Sequence, residues 1–283
     1  MVMALRSPLY LDIETLLSQA EYHEIDVPRQ SEIVEKTTRK RGGGGKVSFP
    51  GVGGADASVG SDVEHQSTYE LKPREKATVS KVIDRLISEE AVKTDLDEHT
   101  VLSKDDLVEV DGLTRITAAS LAGKMFFMIR RLMDTAEGDL ESIFDLGIED
   151  LPVADQVRKV YLRNELLPIP VLLELTGSKL PQKVYVSVAP DHFIDAASAN
   201  RVEGELRVLG SISHLVPGGD EGFLSAEQWL LHDWEYLMRR KLMTQVDEVV
   251  KNLVEQLEID LPTEDVHAFL SGPAVVIDAV ALY

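Results

Sequence analysis

The chain has 283 residues, of which 44% are hydrophobic and 28% charged, the proportions of a globular protein rather than a disordered one. It contains no cysteine, which excludes disulfides, thiolate nucleophiles and cysteine-ligated metal centres and favours a reducing compartment. Its net charge of −20 repels nucleic acid and anionic lipid, so we expect no bulk nucleic-acid binding.

The chain carries no export or membrane signal in its first residues. The opening Met1-Val-Met-Ala-Leu-Arg-Ser lacks the long apolar stretch of a signal peptide. No window of the sequence approaches the 18 apolar residues of a membrane-spanning helix. We therefore expect a cytoplasmic protein that does not contact a membrane.

The first elements are a strand and a capped helix. Residues 9–11 form a short apolar run, and Asp12 is placed to cap a helix over 13–22. Leu16, Leu17 and Ala20 share one face of that helix, which predicts that the helix packs on a core.

Residues 27–72 differ in character from the rest. They include eight glycines between positions 42 and 60 and show no apolar periodicity, which predicts a long mobile loop. Within them, residues 28–46 carry six cations against two acids, a local charge of +4. Long structureless loops inside domains are uncommon and often functional.

Order is predicted to return at Pro73. Apolar residues spaced as on one helix face follow over 79–87. Two β-type runs, 107–110 and 113–116, flank Asp111-Gly112, which predicts a hairpin. A helix over 121–133, apolar on most sides, is predicted to be buried.

The second half alternates helices and strands in blocks. Residues 139–166 are predicted to be helical. Ser225 and Gln228 form a capping-box pattern that opens a long helical stretch in which we expect a break. Strands are predicted over 169–175, 184–188, 206–215 and 274–283, the last apolar on both faces and therefore central.

This order predicts an α+β fold with a mixed or antiparallel sheet packed with helices. The division that follows is residues 1–26 as the first strand and helix of the main domain, 27–72 as the flexible glycine-rich basic loop, and 73–283 as the remainder of a single domain. The first and last strands, both apolar, are expected to pair within one sheet.

The glycine-rich run at 41–46 does not match a nucleotide-binding motif. A phosphate-binding P-loop would need glycine where Lys40 stands and a hydroxyl where Val47 stands, and a dinucleotide fingerprint would need glycine at Asp56. Phosphate binding without a fixed motif remains an alternative, because cations among glycines can contact phosphate groups. The predicted ligand-binding residues are Arg39, Lys40, Arg41 and Lys46, with a protein or a phosphate-bearing ligand as the partner.

Two other functions stay open. Asp191, with Glu205 and Arg207 on the next strand, partly matches the carboxylates and lysine of a metal-dependent phosphodiesterase or nuclease site. Arginine is a poor substitute for the usual lysine. The Met125–Met133 stretch could instead assemble a homo-oligomer, with ordinary core as the competing interpretation. The seven histidines are scattered, so we expect neither a metal site nor a cofactor. We rank a non-enzymatic binding or regulatory protein first.

Three short segments carry a family resemblance. They are Tyr10-Leu-Asp12 with Leu16-Leu-Ser-Gln19, Leu206 to Ile212, and Gly272-Pro-Ala274 with the strand behind it. Together they resemble an uncharacterised family of bacterial proteins, a domain of unknown function, from end to end of the chain. Asp278 departs from the apolar residue or proline expected at its position. The resemblance implies no activity, so it assigns no catalytic residues.

Overall fold

The computed structural model describes residues 6–25, 35–37, 68–70, 73–136, 167–194, 201–219, 222–248, 250–251 and 268–283. Helices and strands occur in the blocks that an α+β fold predicts. The helices are α1 (Ile13–Tyr22), α2 (Pro73–Ser88), α3 (Ala118–Ala136), α4 (Glu227–Leu230) and α5 (Tyr236–Met243). The strands are β1 (Tyr10–Leu11), β2 (Glu35–Thr37), β3 (Thr68–Glu70), β4 (Leu107–Ile116), β5 (Val171–Thr176), β6 (Lys183–Val188), β7 (Gly204–Val216), β8 (Phe223–Ser225), β9 (Phe269–Ser271) and β10 (Ala274–Leu282).

Five strands close into a barrel. Each neighbour pair in the order β4, β5, β6, β10, β7 is hydrogen-bonded, and β7 pairs back to β4. Strands β6 and β10 run parallel, and the other four pairs are antiparallel. Numbered along the chain, the barrel strands follow the order first, second, third, fifth, fourth, which is the Greek-key connectivity of the OB-fold.

The barrel interior follows the two-residue period of its strands. Alternate residues point inward, so every barrel strand contributes small or branched apolar side chains to one cluster. Its members include Val108, Val186, Val208, Ile212 and Ile277, all fully buried. This interior is a packed core rather than a channel.

Helices cover the barrel in two groups. Helices α1 and α2 pack over the end of β10, where Val280 and Ala281 face outward into their apolar cluster. Helices α3, α4 and α5 pack over the opposite wall, against Leu172 of β5, Tyr185 of β6 and Val276 of β10. Among the described residues, two walls of the barrel are therefore covered, and stretches of polar surface lie between them.

The expected pairing of the chain's first and last strands is confirmed. β1 pairs antiparallel with β10, with Tyr10 opposite Leu282. β10 is bonded along both of its edges, and it is apolar on both faces because one face packs into the barrel interior and the other against the helices. The first helix is capped as predicted, since the Asp12 carboxylate accepts a hydrogen bond from the Thr15 backbone N–H at 3.0 Å.

The hairpin predicted at Asp111-Gly112 is wrong. Residues 107–116 form one continuous strand, because its first eight residues pair with β7 and its last four pair with β5. Gly112 sits where the strand curls around the barrel: a Cβ there would lie 2.4 Å from the Thr176 carbonyl oxygen. The glycine serves a close strand approach instead of a turn.

The capping box predicted at Ser225 is wrong in detail. Ala226 takes the N-cap position of α4, and the Ser225 hydroxyl accepts from the N–H of Glu227 at 3.3 Å, not from Gln228. The expected break in this helical stretch is confirmed, since α4 ends at Leu230 and α5 starts at Tyr236.

Two short strands lie inside the segment for which a loop is predicted. β2 and β3 pair antiparallel, with Lys36 opposite Tyr69, and β3 contacts the 3-10 turn Pro190–His192. The two residues that flank the stretch 38–67 are therefore next to each other in this pair of strands. Arg39, Lys40, Arg41 and Lys46 lie outside the described residues, as does the helix predicted over 139–166.

The helix predicted to be buried packs into the core. Met125, Phe126, Phe127, Met128 and Ile129 of α3 are all buried within the chain, which confirms the interpretation as ordinary core for this part of the helix. In the described part of the chain, no helix has the length and apolar character that crossing a membrane requires.

Candidate functional site

A cleft opens where the barrel wall meets its two helical insertions. The cavity measures about 190 Å³ and lies between β5 and β6, the first turn of α3, and β9. We call it the barrel cleft. Its lining includes Arg115, Ile116, Thr117, Ala118, Ala119, Glu174, Lys183, Tyr185, Glu203 and Phe269.

The first turn of α3 is clamped to β5. The Thr117 hydroxyl donates to the Leu172 carbonyl at 2.9 Å, and the Ser120 hydroxyl accepts from the Leu172 N–H at 2.6 Å. Leu172 lies just beyond the residues of β5 that pair with β4, so these two side chains take over the bonds that β4 no longer supplies. The helix start is thereby held rigidly beside the cleft.

That first turn presents unpaired hydrogen-bond donors. Thr117 caps the helix by accepting from the Ser120 N–H at 3.3 Å. The N–H groups of Ala118 and Ala119 have no acceptor among the residues that the structure describes. Both residues line the cleft, and the positive end of the helix dipole lies there too.

The acids of the cleft are engaged within the protein, whereas one of its cations is not. Glu174 pairs with Arg115 at 3.2 Å, and the Glu203 carboxylate accepts from the Ile116 N–H at 3.2 Å. Lys183 is exposed at the start of β6 and has no ion-pair partner within the described ranges. The N–H groups of the first turn and the Lys183 ammonium are therefore free donors with positive character, which suit an anion.

Aromatic side chains border the same cleft. Tyr185 is buried in its wall, and Phe269 of β9 is 45% exposed at its edge. Phe269 packs edge-to-face on Phe223 of β8, with ring centroids 5.2 Å apart. The β8–β9 ribbon thus holds an exposed ring that a flat ligand group can contact.

The position of the cleft follows from the barrel topology. In the OB-fold, ligands bind the face of the second and third strands, between the loop after the first strand and the loop after the fourth. Here those strands are β5 and β6, and the loops are the insertions that carry α3 and α4. Much of that face is covered, because α3 and α4 meet closely: a Cβ on Gly123 would lie 2.1 Å from the Trp229 carbonyl oxygen. The barrel cleft is a part of that face that the described helices leave uncovered.

The structure places the predicted nuclease residues apart from this cleft. Asp191 lies in the Pro190–His192 turn, where its carboxylate is 3.9 Å from His192 Nε2. Glu205 is an exposed residue of β7 opposite Leu113. Among the described residues, no three histidine, aspartate or glutamate side chains are grouped as metal ligands would be.

The residues that form the cleft were not predicted as site residues. A local signal existed in Thr117-Ala-Ala-Ser120, a hydroxyl cap ahead of an apolar helix. Nothing in the sequence around Lys183 distinguishes it from any other exposed lysine. Its role depends on β6 lying beside both the start of α3 and β9, which are distant in the chain.

Fold and site together define a five-stranded Greek-key barrel with helical insertions that border a cleft with free donors. Residues 5–283 match the family model described as Domain of unknown function (DUF6414), and the chain belongs to that family. The expected resemblance to an uncharacterised family is thereby confirmed. No curated protein and no solved structure matches the chain.

Proposed function

We propose that this protein is a non-enzymatic binding or regulatory module of the cytoplasm whose barrel cleft takes a small phosphate-bearing ligand. One observation carries the proposal: the free polar groups of the cleft include three donors of positive character, the N–H groups of Ala118 and Ala119 and the ammonium of Lys183. Helix N-termini and lysine are the groups that proteins use for phosphate.

The exposed ring of Phe269 extends the proposal to the rest of the ligand. A ligand that carries an aromatic ring beside its phosphate gains stacking energy there, and a nucleotide is the simplest such molecule. A long polynucleotide fits less well, because the whole chain carries a net charge of −20. The cavity of about 190 Å³ also suits a small group.

A binding role is favoured over catalysis by the state of the two acids. Glu174 and Glu203 are held by Arg115 and by the Ile116 N–H, and the described lining of the cleft contains no histidine. General-base chemistry needs a free group of this kind within reach of the ligand. Arg39, Lys40, Arg41 and Lys46 stay a predicted further contact with a protein or a phosphate-bearing partner.

The test is calorimetric titration of the full chain with inorganic phosphate, mononucleotides and a dinucleotide. We expect a mononucleotide to bind, and Lys183→Ala to weaken binding by about tenfold, since one charge-assisted hydrogen bond is lost. Lys104→Ala is the matched control, because Lys104 is also exposed and lines neither the cleft nor the pocket described below. It should leave the affinity unchanged.

Phe269→Ala separates the two halves of the proposed ligand. It should weaken nucleotide binding and leave the affinity for inorganic phosphate unchanged. If no phosphate compound binds, or if Lys183→Ala and Lys104→Ala behave alike, the proposal is wrong. Hydrolysis of a bound phosphodiester in the presence of Mg²⁺, lost on Asp191→Asn, would instead support the nuclease-like alternative.

A further inference from the structure

A second cavity, of about 270 Å³, lies on the open barrel wall between β4, β7 and two loops. We call it the charged pocket. Its walls bring together acids and bases from four stretches of chain. The charged residues that line it are Asp95, Glu109, Asp111, Lys179 and Arg207.

The floor of the pocket is a compensated carboxylate. Glu109 is only 12% exposed and accepts a hydrogen bond from the Tyr283 hydroxyl. The Arg6 guanidinium is 3.8 Å from the same carboxylate. Burial raises the pKa of Tyr283, and the charge of Glu109 raises it further, so the hydroxyl stays a donor. The Glu109 carboxylate is therefore already hydrogen-bonded and paired with a cation within the protein.

The charges of the walls are less completely paired than the carboxylate of the floor. Asp111 and Arg207 are directly opposite each other in the β4–β7 register, a position in which opposite charges ordinarily attract. They form no ion pair; Arg207 instead reaches to 3.9 Å from Glu109. Arg207 thus has a long ion pair with Glu109, whereas Asp95, Asp111 and Lys179 have no ion-pair partner within the described residues.

A second cross-strand pair of arginine and carboxylate on the same barrel does form an ion pair. Arg115 and Glu174 are opposite in the β4–β5 register and meet at 3.2 Å. Both pairs are outward-facing arginine–carboxylate neighbours on β4 and an adjacent strand. Arg115 and Glu174 form an ion pair with each other, whereas Asp111 and Arg207 do not and instead line a cavity. Within the described residues, the Asp111 carboxylate therefore has no ion-pair partner, and it lies beside a half-exposed arginine whose ion pair with Glu109 is long, at 3.9 Å.

We infer that the charged pocket binds a small zwitterion, with its anionic group on Arg207 and its ammonium group on Asp111. Arginine binds a carboxylate through two parallel hydrogen bonds, and an ammonium group suits a carboxylate as a point charge. Lys179 and Asp95 add one charge of each sign at the rim. A polyanion would meet three acids and a polycation two bases, so the mixed lining favours a ligand that carries both charges.

The test uses the full chain and ligand-observed NMR with the twenty free amino acids, acetate and ethylamine as probes. At least one amino acid should bind, and acetate and ethylamine should bind at least about tenfold more weakly because each loses one charged contact. Arg207→Met and Asp111→Asn should each weaken amino-acid binding by about tenfold. Both side chains are largely exposed, with Arg207 at 51%, so the fold should tolerate these changes.

The controls separate this site from the barrel cleft. Arg115→Met removes the arginine of the Arg115–Glu174 ion pair and should leave amino-acid binding unchanged, as should Lys183→Ala. The inference is overturned if no amino acid binds, if Arg207→Met and Asp111→Asn leave binding unchanged, or if acetate binds as tightly as the zwitterion. Each of these results is independent of phosphate binding in the cleft.

Discussion

The barrel cleft and the charged pocket lie on one barrel but are built by different means. The cleft depends on the insertions, since α3 and β9 form two of its sides, and its free donors have positive character. The pocket is built from the barrel strands β4 and β7 with two adjoining loops, and its free groups carry both signs. Substitutions in an insertion should therefore weaken binding in the barrel cleft, and substitutions on β4 or β7 should weaken binding in the charged pocket.

The charged pairs make the same comparison on a smaller scale. Arg6 and Asp84 meet at 2.5 Å with side chains only 9% and 13% exposed, whereas Arg115 of the Arg115–Glu174 pair is 59% exposed. Water screens the second pair and largely fails to reach the first. Similar chemistry thus has a structural role at one site and little energetic weight at the other.

The largest effect is expected at Arg6. Arg6→Ala leaves Asp84 buried without its partner and removes the cation beside Glu109, which should cost about 3 kcal/mol or more of unfolding free energy. Urea denaturation measures it. Arg115→Ala, the exposed counterpart, should cost less than about 1 kcal/mol. Equal losses in the two variants would contradict the distinction.

A smaller effect is expected at Gly123. Gly123→Ala places a methyl group against the Trp229 carbonyl and should separate α3 from α4, at a cost of about 1–3 kcal/mol. It should weaken ligand binding in the barrel cleft while sparing the charged pocket. Gly218→Ala is the control, because a Cβ there has its nearest neighbour, Pro273, at an ordinary 3.5 Å. Thermal unfolding with both ligand titrations checks the pair.

The smallest effect concerns Tyr283 and pH. Burial raises its pKa above the ordinary 10.0, with Glu109 adding to the shift. The folded state therefore holds this proton more tightly than the unfolded state, so the stabilisation is complete below pH 10 and declines as the pH rises further. Tyr283→Phe should remove that part of the alkaline loss while costing about 1.5 kcal/mol at neutral pH, because the hydrogen bond to the Glu109 carboxylate is lost. Tyr22→Phe, at a residue 81% exposed, should leave the alkaline profile unchanged.

Much of the local structure was predictable from the sequence. The helix over 13–22, the helix that includes 79–87, and the strands around 169–175, 184–188, 206–215 and 274–283 all occur, because apolar periodicity and capping act over a few residues. The hairpin at Asp111-Gly112 failed for a tertiary reason. Each half of that strand finds its partner elsewhere in the chain, and the glycine allows a close approach to Thr176.

The α+β class, the absence of cysteine chemistry, the acidic character and most element positions follow from composition and short-range pattern. The tertiary structure is needed to show that five strands close into a barrel and that β6 lies parallel to β10. It also shows that Lys183 lines one cleft with the start of α3, and that Asp111 and Arg207 are opposite each other at a pocket without forming an ion pair with each other. Those relations join residues separated by dozens of positions, and they depend on which distant segments pair, which local pattern does not specify.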